Sequence, residues 1–222
     1  MTLFVVATPI GNLEDITLRA VRVLKEVDVV AAENVLQTKK LLNKYEITTP
    51  LTRLHQHSRS DQLQKLVGRL ERGEMVAYVS DAGTPGISDP GGQLVELASQ
   101  AGIAVIPIPG PSAVTALLSV AGIPTDSFTF IGFLPKKKGR HSLWQELAEL
   151  ETPIVIFESP HRITKTLGEI KTNLGNRKII IGRELTKLYE EILRSSVDEA
   201  IDHFATHAPR GEFVIIIQPN YN

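Results

Sequence analysis

Residues 80–92, Ser-Asp-Ala-Gly-Thr-Pro-Gly-Ile-Ser-Asp-Pro-Gly-Gly, carry four glycines, two prolines, two aspartates and two serines, more than a simple turn requires. Glycine lets backbone approach a ligand closely, and an aspartate at a strand end accepts hydrogen bonds from an amine or a ribose hydroxyl. Asp81 and Thr84 are the candidate contacts there, whereas Asp89, ahead of Pro90 and a helical pattern, reads as a helix cap. Two other loops have the same small-residue character. Residues 7–12, Ala-Thr-Pro-Ile-Gly-Asn, close the first apolar run; taken alone they also suit an ordinary strand-to-helix turn, and without G-x-G-x-x-G they carry no dinucleotide fingerprint. Residues 109–113, Pro-Gly-Pro-Ser-Ala, open a helix, where Ser112 serves as an N-cap and the helix N-terminus can also receive a carboxylate.

Ionisable groups gather in the second half. Phe157-Glu158-Ser159-Pro160-His161-Arg162 closes one strand, and Arg183-Glu184-Leu185-Thr186-Lys187 closes the next. Two such loops at one end of a sheet favour a site, although a buried Glu–Arg pairing between them would be purely structural. Basic segments stand at Lys136-Lys137-Lys138-Gly139-Arg140-His141 and Arg53-Leu54-His55-Gln56-His57-Ser58-Arg59. A lone charge run is usually a solvated loop; two of them suit phosphate contacts that position a nucleic-acid backbone.

Composition narrows the chemistry. With no cysteine there are no disulfides and no thiolate nucleophiles or metal ligands, and of the six histidines only His55 and His57 lie close together, so no metal is expected. The net charge of -1 means that nucleic acid must be met by local patches. No apolar run approaches the roughly 20 residues of a membrane span, and the first run lacks the basic flank and cleavage site of a signal peptide. A cytoplasmic protein is expected.

The elements that hold these loops follow from periodicity. Strand-like runs fall at 3–7, 27–31, 76–80, 104–108, 128–131, 153–157, 178–182 and 213–218. Helical patterns fall at 17–26, 37–44, 60–72, 91–101, 112–121, 141–150, 163–174 and 197–206. Near-continuous apolar strands alternating with amphipathic helices predict an α/β fold with sheets covered on both faces. Proline and glycine punctuation places a domain boundary near residue 118, giving domains 1–118 and 119–222. Ligands of such sheets sit beyond the carboxyl ends of the strands, where the small-residue loops fall.

In order, ATPIGNLEDIT, SDAGTPGISDPG, PGPSA, the FxGFLP form at 130–135, FESPHR, RELTK and RGEFVIII resemble the tetrapyrrole methylase superfamily, from residue 3 to about residue 218. Within it they are similar to the family that 2'-O-methylates a cytidine ribose in 16S ribosomal RNA of the small subunit. The resemblance implies a homodimer of two-domain subunits with the class III methyltransferase fold and S-adenosylmethionine bound in the interdomain cleft. It places cofactor contacts on Pro9, Asp81, Thr84, Ser112 and Ala113, with Phe157 and Gly211 from the second domain, and RNA contacts on Lys136, Lys137, Lys138 and Arg140. A ribose hydroxyl is a poor nucleophile near neutral pH, so a base or cation must assist it. Lys187, Glu184, Arg162 and Glu33 are the candidates, Lys187 to lower the hydroxyl's pKa and Arg162 to hold phosphate. Two departures stand out. Where the family has the string A-E-D-T-R this sequence reads Ala32-Glu33-Asn34-Val35-Leu36, losing an Asp and an Arg expected to face substrate; and members often carry a further C-terminal helical segment, whereas this sequence ends just after its last strand. A sister methylase acting on a tetrapyrrole or diphthamide precursor, and a cofactor-binding module without catalysis, are the alternative readings.

Overall fold

The computed structural model describes residues 1–54, 60–88 and 92–220, which divide into two compact units, Met1–Ser112 and Ala113–Asn222. In the first, strands β1 (Thr2–Val6), β2 (Val29–Ala32), β3 (Leu51–Arg53), β4 (Met75–Val79) and β5 (Ala104–Ile108) form one sheet in the order β3-β2-β4-β1-β5, every neighbouring pair parallel. Parallel neighbours need crossovers, and α1 (Leu18–Glu26), α2 (Val35–Lys44), α3 (Ser60–Glu71) and α4 (Gly92–Gln100) supply them. Alternation along each strand then sorts the side chains. Val30, Ala32, Ala77 and Val79 pack with Ala20, Leu24 and Leu41 of α1 and α2. Val29, Ala31, Val76 and Tyr78 pack on the opposite face with Leu66 and Leu70 of α3 and Leu94 of α4. Each large side chain so buried is worth about 1.5–3 kcal/mol, which is why both faces of the sheet must be covered.

The second unit runs α5 (Ala113–Ser119), β6 (Thr129–Phe133), α6 (Arg140–Ala148), β7 (Ile154–Glu158), α7 (Ile163–Leu174), β8 (Lys178–Arg183), β9 (Glu191–Ser196), α8 (Val197–Thr206) and β10 (Phe213–Ile217). Its sheet has the order β6-β7-β10-β8-β9; β6 and β7 are parallel and the remaining pairs antiparallel. Ile154 and Ile156 of β7, Ile179 and Ile181 of β8, and Ile215 and Ile217 of β10 form one core with Leu147, Leu167, Ile170 and Phe204 from α6, α7 and α8.

The division between the units falls six residues before the position suggested by the Pro and Gly punctuation. The reason is α5: its buried Leu117 approaches β8 so closely that a Cβ on Gly182 would lie 2.9 Å from Leu117 Cδ1. Two strands escape a periodicity reading, β3 and β9. Both are edge strands with polar residues and little burial, so neither presents an apolar run. Among the described residues no helix is long and apolar enough to cross a membrane.

Candidate functional site

Because β4, β1 and β5 are adjacent and parallel, the three loops that follow them emerge side by side at one edge of the first sheet. Backbone hydrogen bonds tie the loops together. Thr8 and Gly83 exchange N–H···O bonds of 2.9 Å in both directions, and the Ala7 N–H donates to the Ile108 carbonyl at 3.1 Å. The Thr84 hydroxyl donates to the Pro111 carbonyl at 3.3 Å, linking the second and third loops. The approach is close: a Cβ on Gly110 would sit 3.1 Å from the Ala7 Cβ, so a side chain there would push the first and third loops apart. Pro9 is buried within the first loop, Thr84 is half-buried, and Asp81 is exposed as a residue with its carboxyl partly desolvated. Ser112 stands directly before α5 and is itself engaged, and Ala113 is the first residue of that helix.

A fourth loop joins this edge from β2, the neighbour of β4. Asn34 caps α2, its side-chain oxygen accepting from the Leu36 and Gln37 N–H groups at 3.1 and 3.3 Å. Its own backbone N–H donates to the Asp81 carboxylate, which partly opposes the larger effect, burial, that raises the Asp81 pKa above its ordinary value. The departure at Asn34 therefore keeps the helix cap, since Asn and Asp cap equally well. Leu36, where the resemblance expects an arginine, is 76% exposed in the first turn of α2. Glu33 is half-buried and engaged by a partner.

In the second unit the carboxyl ends of β6, β7 and β8 and the amino end of β10 share one sheet edge, since Phe213 pairs with both Glu158 and Arg183. Glu158 is the hub, its side chain without exposure. It accepts from the Ser159 N–H at 2.8 Å and the Thr166 hydroxyl at 2.7 Å, and the Arg162 Nε lies 3.4 Å away. Arg162 donates onward to the Leu134 carbonyl at 2.8 Å. Arg140, also buried, binds the Glu169 carboxylate through Nε at 2.7 Å, the Thr166 hydroxyl at 3.0 Å and the Pro135 carbonyl at 2.8 Å. Two guanidiniums thus grip two consecutive carbonyls at the root of the Lys136–Lys138 loop.

This network corrects one assignment: Arg140 is part of the interior and not an RNA contact, buried with four of its five guanidinium N–H donors engaged. Arg162 is held by Glu158 and Leu134 while its side chain stays 24% exposed. Lys136, Lys137 and Lys138 remain on the surface, all three exposed. The Phe157 ring is half-buried between Phe130 and Phe133, at centroid distances of 5.1 and 5.6 Å.

The loop after β8 is held by the residues just before β10. Glu184, at φ 50°, accepts from Lys187 Nζ at 2.8 Å and the Glu212 N–H at 2.9 Å, and Lys187 also reaches the Glu212 carboxylate at 2.8 Å. Burial raises the Glu184 carboxyl, but the bonds from Lys187 and Glu212 and the charges of Lys187 and Arg183 outweigh it and hold the pKa below its usual value. Burial likewise lowers the Lys187 ammonium, and its two carboxylate partners more than reverse that, so it titrates above its usual range. Gly211 has φ 86°, and a Cβ on it would lie 2.3 Å from Glu184 Cγ. The glycine makes room for this carboxylate.

The sequence motifs omit two partners that complete these arrangements, Thr166 and Glu169 on α7; Glu212 stands within RGEFVIII but is not singled out by it. Helical spacing from FESPHR places Thr166 and Glu169 on successive turns of α7, but nothing in the spacing says which face meets Arg140. His55, His57 and Arg59 of the first basic segment, and Asp89, lie outside the described residues. Among the described residues no group of three or more His, Cys, Asp or Glu is placed to hold a metal ion.

Residues 2–201 match the family model described as tetrapyrrole (corrin/porphyrin) methylases. The chain belongs to this family. Among its relatives, ribosomal RNA small subunit methyltransferase I of Halalkalibacterium halodurans is 50% identical over 99% of this chain and 76% of that protein. The protein of the same name from Thermotoga maritima is 46% identical, with 97% of each chain covered. Solved structures of similar fold include a cobalt precorrin-4 methyltransferase, with TM-score 0.74, 20% identity and 98% and 94% of the two chains covered. Diphthine synthase gives TM-score 0.79 at 12% identity, covering 99% and 90%. The α/β fold expected from the loop motifs is the fold of these methylases.

Proposed function

We propose that the chain is an S-adenosylmethionine-dependent methyltransferase that acts on small-subunit ribosomal RNA, transferring methyl to the 2'-hydroxyl of a cytidine ribose in 16S rRNA. The observation that carries this reading is the cradle of three loops at the carboxyl edge of β4, β1 and β5, in a chain half identical over nearly its whole length to a ribosomal RNA small subunit methyltransferase.

The residues present suit the cofactor. The approach of Gly110 to Ala7 leaves backbone where a side chain would otherwise fill the cradle. Asp81 offers a carboxylate at its rim for an amine, a ribose hydroxyl or a sulfonium charge. Pro9, Asp81, Thr84 and Ser112 would hold the cofactor, and the resemblance also assigns contacts to Ala113, Phe157 and Gly211. When bound, the cofactor supplies a methyl group on a sulfonium that an oxygen nucleophile displaces in line. The protein's part is to align the hydroxyl, exclude water and stabilise developing negative charge. Lys187 fits the last role, since its raised pKa keeps it cationic at neutral pH. Glu184, held ionised by two donors, fits the task of positioning Lys187 and is a poor proton acceptor. Glu33 is the carboxylate left as candidate base. Lys136, Lys137 and Lys138 would meet RNA phosphates. The resemblance implies that the enzyme works as a cytoplasmic homodimer, and sedimentation at micromolar concentration tests the dimer.

The direct test is transfer of labelled methyl from S-adenosylmethionine to small ribosomal subunits from a strain lacking the endogenous activity, followed by digestion to nucleosides. Label in 2'-O-methylcytidine is the expected result. A preparation that binds the cofactor yet leaves the subunits unlabelled refutes the reading.

A further inference from the structure

A groove of about 660 Å3 lies where the edge strand β3 meets α3, and it shares no residue with the three-loop cradle. Arg53 enters it from β3, Lys65 and Arg69 enter from α3, and Arg72 enters from the turn just after α3, with Thr52 and two glutamines also in the lining. The three cations recur at i, i+4 and i+7, a stripe that runs from α3 into the turn after it, while Leu63, Val67 and Leu70 are buried away from the groove and the buried Leu66 contributes to its lining. Gly68 lies within the stripe and leaves the floor open, so that the Arg72 guanidinium passes 3.6 Å from where its Cβ would be.

The charge along this groove is one-sided. Among the described residues four cations and no carboxylate line it; Asp61 and Glu71 of the same helix are not part of the lining. The adjacent carboxylate is Glu74, shared between Arg69 at 2.6 Å and Arg72 at 3.4 Å, which fixes the two guanidiniums at one end of the groove. Arg53, Lys65 and Arg72 are exposed. Cations gathered along one groove favour an anion there. The lining amides and hydroxyl can hydrogen-bond to phosphate and sugar oxygens, whereas among the described lining residues there is no aromatic ring on which a base could stack. A cationic groove of this composition matches a phosphodiester backbone.

We propose that this groove holds the sugar–phosphate backbone of the substrate RNA, as a sequence-independent contact separate from the loops assigned to methyl transfer. The inference rests on the ribosomal RNA reading for the identity of the RNA, but not for the chemistry of the contact. The test is the double variant Lys65→Gln/Arg72→Gln, both positions being exposed, beside the charge-preserving Lys65→Arg/Arg72→Lys. With small ribosomal subunits as substrate, the Gln variant should raise KM about tenfold and lower the slope of log KM against log salt by about 1.5, the loss of two phosphate contacts. Its kcat and its affinity for S-adenosylmethionine should stay at the wild-type values, and the charge-preserving variant should behave as wild type. Unchanged KM and salt slope overturn the groove while leaving the methyltransferase reading intact. Binding of fluorescent oligocytidine, followed by anisotropy, needs no methyl transfer. If wild type fails to label the subunits, the same loss of affinity and slope in the Gln variant still supports the groove, and wild-type behaviour there overturns it.

Discussion

Replacing Gly211 by alanine tests the architecture around Lys187 most sharply. At φ 86° an L-residue carries a strain of about 1–2 kcal/mol. The new methyl would also stand 2.3 Å from Glu184 Cγ and 2.4 Å from its Cδ and Oε1, so the carboxylate must move. In moving it gives up the bond from Lys187 Nζ at 2.8 Å and that from the Glu212 N–H at 2.9 Å. Charge-assisted bonds are worth about 1.5–3 kcal/mol each when buried, and about half of that where side chains are 20% and 30% exposed, as Glu184 and Lys187 are. The sum is about 3 kcal/mol. Urea denaturation of Gly211→Ala, Glu184→Ala and the double variant measures it as a cycle. Because Glu184→Ala removes the atoms the methyl would strike, the double variant should be more stable than the sum of the single effects by at least about 1 kcal/mol. A Gly211→Ala protein within about 0.5 kcal/mol of wild type, or strict additivity in the cycle, would refute the proposed packing of Glu184 against Gly211.

Asp81→Ala should weaken S-adenosylmethionine binding more than tenfold by calorimetry with little change in stability; unaltered affinity removes Asp81 from the site. Arg140→Gln leaves Glu169 and the Pro135 carbonyl without their donor in a buried setting, and a loss of about 3 kcal/mol is expected in denaturant titration. A loss under about 1 kcal/mol would return Arg140 to the surface loop. The Glu184 pKa is depressed, so its contribution to stability is present above the ordinary carboxylate value of 4.5 and is lost as pH falls through the folded-state value. The Lys187 pKa is raised, so its contribution is present below 10.5 and is lost as pH rises through the folded-state value. The stability difference between wild type and Lys187→Met should therefore be flat from about pH 6 to pH 9 and shrink on both sides, which thermal melts across pH can check. Leu36→Arg, at a 76% exposed position, should change stability by less than about 0.5 kcal/mol and lower the KM for ribosomal subunits; a higher KM contradicts an RNA-facing role for this turn.

The alternation of apolar strands with amphipathic helices was sufficient for the α/β class, because a strand buried on both faces must be apolar at every position, as Val29 to Ala32 are. The three small-residue loops were legible for a similar reason: close backbone approach demands glycine and proline, and those residues mark the chain wherever they fall. Edge strands carry no such demand, so β3 and β9 came only with the structure. So did the roles of the charged residues. Arg140 and Lys138 stand two apart in one basic run, yet one is buried among its hydrogen-bond partners while the other is exposed. A side chain's charge is written in the sequence, but its partner is chosen by which helix face and which strand neighbour the fold brings to it. Glu169 lies 29 positions from Arg140 and Glu212 lies 25 from Lys187. Only the packing of α7 beside α6, and of β10 between β7 and β8, brings each of those carboxylates within reach of its cation.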